Sequence, residues 1–145
     1  MKNMTAALIA LMFFSFAITA SAEEGKPYKE GVVIQVTYVK TKPGKFDDYM
    51  KFLATEYKTV MEAEKKAGLI LAYDVFSAQP HNPHDADLVL TTTYANMAAL
   101  DKNDEGEAVV TKIMGNSAVQ SKGAQDRESM REILGSEFVR QLNLK

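Results

Sequence analysis

Between residues 32 and 39 the side chains alternate. Val32, Ile34, Val36 and Tyr38 fall on one side of an extended chain, and Val33, Gln35, Thr37 and Val39 on the other. A period of two with this many β-branched residues predicts a strand that has one wholly apolar face and one mixed face. Gly31 opens the run, and Pro43-Gly44 marks a turn beyond its end. From 45 to 67 the period changes to that of a helix, with Phe46, Tyr49, Met50, Leu53, Tyr57, Val60 and Met61 on one stripe. Asp47 and Asp48 sit in its first turn, where the helix dipole favours acids, and Gly68 is placed to cap its end. The Met and Tyr stripe reads as core packing before it reads as a ligand box.

Residues 69–77 alternate again: Leu69, Leu71, Tyr73 and Val75 oppose Ile70, Ala72, Asp74 and Phe76. Pro80 and Pro83 exclude regular structure from the loop 78–85. A third strand is predicted over 86–94, with Leu88, Leu90, Thr92 and Tyr94 opposite Asp87, Val89, Thr91 and Thr93. Asn96 can cap a short turn through Leu100, and a weak apolar face over 104–114 predicts a helix that ends at Gly115. Residues 116–124, small and polar, read as a loop or frayed turn. Residues 125–134 read as a helix carrying Met130, Ile133 and Leu134 and stopped by Gly135. The last run, 137–144, alternates as a fourth strand, with a continued helix as the alternative.

Strand, helix, strand, strand, helices, strand is the order of a split β-α-β fold. The predicted class is α+β, ferredoxin-like β-α-β-β-α-β, a four-stranded antiparallel sheet with helices on one face. The other face is then bare, yet it still displays Val, Leu, Tyr and Phe between its polar residues. Apolar surface on that scale implies a partner.

The N-terminus reads differently from the rest. Lys2 precedes an apolar run over 6–18 broken only by Ser15, and Ala20-Ser21-Ala22 offers the small residues that a signal peptidase requires. Cleavage after Ala22 is expected, which makes the protein exported, periplasmic or secreted. The apolar run is short of the roughly 20 residues that span a bilayer, so an uncleaved anchor is the lesser reading and no membrane association is expected after cleavage. The expected division is a leader at 1–22, a polar lead-in at 23–30 and a single domain at 31–145. There is no cysteine, hence neither a disulfide nor a lipid-modified cysteine at the cleavage site. Removing Lys2 with the leader leaves 16 basic side chains against 19 acidic ones, a formal charge of −3. That balance argues against a nucleic-acid partner.

Two segments carry a resemblance. Residues 36–49, VTYVKTKPGKFDDY, look like the first strand, Pro-Gly turn and helix start of the dimeric α/β-barrel superfamily, and residues 84–94, HDADLVLTTTY, are similar to its third strand. This superfamily includes the antibiotic-biosynthesis-monooxygenase-like and stress-responsive barrel proteins. The resemblance implies a homodimer, two ferredoxin-like protomers packed sheet to sheet around a small cavity. It does not supply a reaction, because the superfamily spans cofactor-independent monooxygenases, haem-handling enzymes and proteins without known activity.

Candidate chemistry is sparse. His81 and His84, the two histidines, share one loop with Asp85 and Asp87, and imidazole with carboxylate can ligate a borderline metal. The i, i+3 spacing in a proline-containing loop fixes no geometry, so a polar turn is the default, no metal is assigned, and the two Asp residues are read as capping turns. No cofactor is implied either. If the barrel forms, its cavity draws on Gln35, Thr37, Asp74, Thr91 and Thr93 with Tyr38, Tyr73 and Tyr94, and an apolar pocket with a few polar groups is the default ligand site. Phosphate-cradling loops, G-x-S-x-G turns and H-E-x-x-H helices are missing from the sequence. The expected function is binding of a small apolar or aromatic molecule. The alternative is a cofactor-independent monooxygenase-like enzyme on the same fold.

Overall fold

The computed structural model describes residues 25–145; the leader and its expected cleavage after Ala22 lie outside them. β1 spans Tyr28–Thr41. The first helical stretch divides into α1 (Phe46–Phe52), a π-helical turn (Leu53–Tyr57) and α2 (Lys58–Lys66). β2 (Ala72–Ser77) and β3 (Leu88–Tyr94) make the hairpin. A 3-10 turn (Met97–Asp101), α3 (Asn103–Met114) and α4 (Ser117–Met130) then lead to β4 (Arg131–Leu144). All strand pairs are antiparallel, and the order across the sheet is β2-β3-β1-β4. Each helical crossover skips one strand, which is the ferredoxin-like arrangement. Among the described residues no helix is long and apolar enough to cross a membrane.

Local signals place most element ends. Gly68 adopts φ +73, its N–H bonds to the carbonyl of Lys65 (3.1 Å), and the N–H of Leu69 reaches that of Glu64 (3.0 Å). That pair of bonds is a Schellman cap, and only a residue without Cβ adopts its left-handed turn cheaply. The Asn96 side chain accepts from the N–H of Ala99 at 3.1 Å, as its cap position predicts.

Four expectations need correction. β1 begins at Tyr28, not at Gly31, because β4 extends far enough to pair with the lead-in at Tyr28, Lys29 and Glu30. The second strand begins at Ala72, since Leu69 and Ile70 are buried in the turn after the cap. Residues 116–124 are helical: Asn116 caps α4 by accepting from the N–H of Val119 (3.2 Å), and the Ala, Gln and Lys beyond it propagate a helix without an apolar stripe. That helix stops at Met130 rather than Leu134, because Arg131, Glu132 and Ile133 pair with Thr41, Lys40 and Val39 of β1. The alternation noted at 137–144 is the outer part of this longer strand.

The core fixes which side of the sheet the helices cover. Val39 and Leu88 are direct cross-strand partners, and both are buried with Tyr49 and Leu53 of the first helical stretch. Paired residues share a face, so Val33, Gln35, Thr37 and Val39 of β1, with Leu88, Leu90, Thr92 and Tyr94 of β3, lie on the helix side. The wholly apolar face of β1 (Val32, Ile34, Val36 and Tyr38) is therefore on the open side. Asp87 ties the loop to the sheet: its carboxylate accepts from the N–H of Thr41 (3.0 Å) and from the Thr41 hydroxyl, while its own N–H donates to the carbonyl of Val39 (3.0 Å).

Candidate functional site

The register divides the predicted cavity residues between the two faces. Gln35, Thr37, Tyr73 and Tyr94 lie on the helix side; Tyr38, Asp74, Thr91 and Thr93 lie on the open side. On the helix side Tyr94 donates to Gln35 Oε1 (3.3 Å), Gln35 Nε2 reaches Ser136 Oγ (3.5 Å), and Ser136 Oγ shares a hydrogen bond with Thr37 Oγ1 (3.1 Å). Gln35 and Thr37 of β1 thus find their partners on the neighbouring strands β3 and β4. On the open side Tyr38 donates to Glu137 (2.9 Å), and Asp74 is exposed on the edge strand β2. His81 and His84 are exposed in their loop, where the Asp85 carboxylate accepts from the backbone N–H groups of His81 (2.9 Å) and Asn82 (3.1 Å). The His81 bond, with the amide and backbone of Asn82, holds the Asp85 carboxyl below the usual carboxylate range. Its lone pairs are spent on the turn, and among the described residues no cluster of three His, Cys, Asp or Glu could hold a metal.

Three concavities are lined in part by tyrosines. A depression of about 420 Å³ on the open side is bordered by Tyr38, His84, Asp85 and Val89. A cavity of about 260 Å³ joins Glu64 and Tyr94 to Leu69, Ile70 and the start of α3. Burial pushes the Glu64 carboxyl up, and it pushes the Tyr94 phenol up as well, helped by the charge of Glu64.

The third, about 240 Å³, lies between the first helical stretch, α3 and α4 and the sheet, walled by Tyr49, Phe52, Tyr57, Val60, Leu90, Val110 and Met114, with Glu56, Arg127 and Arg131 also on its lining. The π-helical turn builds its wall. The N–H of Lys58 reaches back five residues to the carbonyl of Leu53, which inserts one residue into the turn. Such single π turns recur at functional sites. The hydroxyls of Thr55 and Thr59 donate to the carbonyls of Lys51 and Thr55, each at 2.8 Å, and steady the widened turn. Tyr49 stacks on Phe52 (centroids 5.7 Å apart), and Tyr57 meets Tyr73 edge to face (6.0 Å). Arg127 lies over the Phe52 ring at 5.3 Å and Arg131 over Tyr49 at 5.6 Å. Each such cation–π contact is worth about 0.5–1 kcal/mol near a surface.

The tyrosines of this cavity are donors, not bases. Burial pushes Tyr57 up to about 12, against a smaller opposing effect of its hydrogen bond with Thr92. Burial also raises Tyr49, although Arg131 and Arg127 pull it back. Tyr73, outside the cavity, is pushed up to about 12, chiefly by its 2.7 Å hydrogen bond to the Glu62 carboxylate. None of the eight residues predicted to line a cavity borders this one. Its aromatic wall was visible as the helical stripe; of its arginines, Arg127 lies on the helix that was expected, and Arg131 opens β4 where that helix was expected to continue.

The topology also occurs in a solved structure. Protein SO0527 from Shewanella oneidensis superposes with a TM-score of 0.50 over 80% of this chain and 98% of its own, at 17% identity. At that identity the likeness shows the fold alone. Two weaker likenesses are HapK from Hahella chejuensis (TM-score 0.48, 14% identity, 75% of this chain and 91% of that one) and a dimeric ferredoxin-like protein from an uncultured marine organism (TM-score 0.44, 17% identity, 80% and 96%). No protein-family model matches the chain, and no curated protein matches it.

Proposed function

We propose that this is an exported binding protein for a small apolar or aromatic molecule, working as a homodimer. The observation that carries the reading is the 240 Å³ cavity under the π-helical turn, aromatic and apolar on most of its wall and completed within one protomer. That volume is just below the roughly 300–1,000 Å³ of pockets for drug-sized ligands, so the ligand is small. This moves the site from the open sheet face, where the sequence suggested it, to the helix side. Binding is favoured over the monooxygenase-like alternative by the raised Tyr49 and Tyr57 phenols, which stay protonated near neutral pH and can orient a ligand but not deprotonate it. The test is a titration with the neutral fluorescent probe 2-naphthamide. Saturable binding of one probe per chain is expected, and Val60→Phe, which fills the cavity, should abolish it; absent or non-saturable binding of both this probe and its carboxylate isostere 2-naphthoate would refute the reading.

The open side of the sheet is assigned to a second copy. Four strands about 4.8 Å apart, two of 14 residues and two of 6–7 at about 3.3 Å per residue, present on the order of 700 Å². A stable interface takes about 800 Å² per partner. Tyr38, Phe76 and Val139 are exposed there. Sedimentation at micromolar concentration should give a dimer, and Val36→Glu, on the open side of the central strand, a folded monomer. Export is tested by sequencing the N-terminus of the exported protein, which should begin at Glu23.

A further inference from the structure

We infer that the cavity beneath the π-helical turn takes a small aromatic anion, a carboxylate or sulfonate, whose charge is met by Arg131 and Arg127. This rests on the binding reading above and adds the ligand's charge to it. Two guanidiniums are an unusual lining for a wall otherwise built from Tyr49, Phe52, Tyr57 and Leu90. Neither forms an ion pair with a described carboxylate. Glu56, the carboxylate on the same lining, is paired with neither of them.

Arg131 supplies the second observation. Its Nε is buried without a hydrogen-bond partner among the described residues. A buried donor without an acceptor is a standing cost, which is why such groups are rare and call for an explanation. The Nε itself has no open surface for a ligand to reach, so a planar carboxylate would meet this guanidinium through its remaining N–H groups.

Arg127 supplies the third. One turn before it stands Gly123, in the interior of α4, where glycine weakens a helix. A Cβ at Gly123 would sit 3.3 Å from Arg127 Nη1. The glycine therefore leaves room for the guanidinium to lie back against the Phe52 ring.

The experiment compares 2-naphthoate with its neutral isostere 2-naphthamide by fluorescence titration at 0.15 M and 0.5 M salt, using wild type, Arg131→Gln and Arg127→Gln. The expected result is naphthoate binding at least tenfold tighter than naphthamide in wild type. High salt should preserve most of the ratio, because a pair shielded by the cavity is screened less than a surface one. In Arg131→Gln the ratio should fall toward one, while naphthamide affinity stays within about twofold of wild type and shows that the cavity is intact. Equal affinities in wild type would overturn the anion inference and leave the binding reading standing; no binding of either probe would overturn both. A tenfold preference that survives both substitutions would also overturn it, by placing the charge recognition elsewhere.

Discussion

Truncating Leu88 to alanine tests the packing that joins sheet to helix. Leu88 is 1% exposed and packs in one cluster with Val39, Tyr49 and Leu53. The change deletes three carbons, and at about 0.8 kcal/mol per buried methylene the transfer loss is about 2.4 kcal/mol. A hole of about 40–70 Å³ that the neighbours only partly fill adds about 1–1.7 kcal/mol, at roughly 24 cal/mol per Å³. The sum is a loss of about 3.5–4 kcal/mol. With an unfolding entropy of about 2.1 cal/mol/K per residue over about 120 ordered residues, the midpoint should fall by roughly 14–16 °C. Urea titrations followed by far-UV circular dichroism, run at two protein concentrations to separate unfolding from dissociation, supply the measurement. Met97→Ala, at a 46% exposed position, is the control and should stay within about 0.5 kcal/mol of wild type. A loss below about 1 kcal/mol for Leu88→Ala at unchanged m-value would refute the placement of Leu88 in a closed core.

Asp87→Ala leaves the N–H and the hydroxyl of the buried Thr41 without their acceptor and should cost about 1–3 kcal/mol by urea unfolding. Asp87→Asn, which keeps an acceptor oxygen, should recover part of that loss. Glu64 gives a pH signature. Its folded pKa is raised above the ordinary 4.5 by burial, so its contribution to stability is intact below that value and is lost as pH climbs through the folded pKa. Glu64→Gln should therefore gain on wild type between about pH 4 and pH 7 in paired denaturation curves; a gap that is flat or narrows with pH contradicts the burial of this carboxyl.

Elements that bury a stripe were legible; those that do not were not. Tyr49, Leu53 and Tyr57 announced the first helical stretch, and Gly68 its end, because both burial and left-handed backbone leave a mark in residue type. The first half of α4 left none: residues 117–124 carry the helix read over 125–134 back to an Asn116 cap, on intrinsic propensity and with no apolar face to read. The start of β4 was hidden for the opposite reason. Ile133 and Leu134 suit a helix as well as a strand, and long-range pairing with β1 decides between them, through partners such as Thr37 with Ser136 and Val39 with Ile133. Because Arg131 lies at that junction, the error in secondary structure concealed its place in the cavity, while Arg127, on a helix that was read, carried no signal of its own.

The two sides of β1 are inverted with respect to what a lone protomer would require. Its amide and hydroxyl residues, Gln35 and Thr37, point toward the helices and settle into hydrogen bonds with Tyr94 and Ser136, while Ile34, Val36 and Tyr38 point away from them. A sheet with one wet face normally reads polar on the wet side, since register is specified by which face is buried. Slipping β1 by one residue would restore that pattern for an isolated chain. It would also pull Val39 out of the cluster with Leu88 and Tyr49 and leave Gln35 without Tyr94 and Ser136. The observed register therefore gains little from the open side of a single protomer and much from a dry one. In the homodimer proposed above, the second copy would supply that dryness and leave the cavity on the far side of each sheet open.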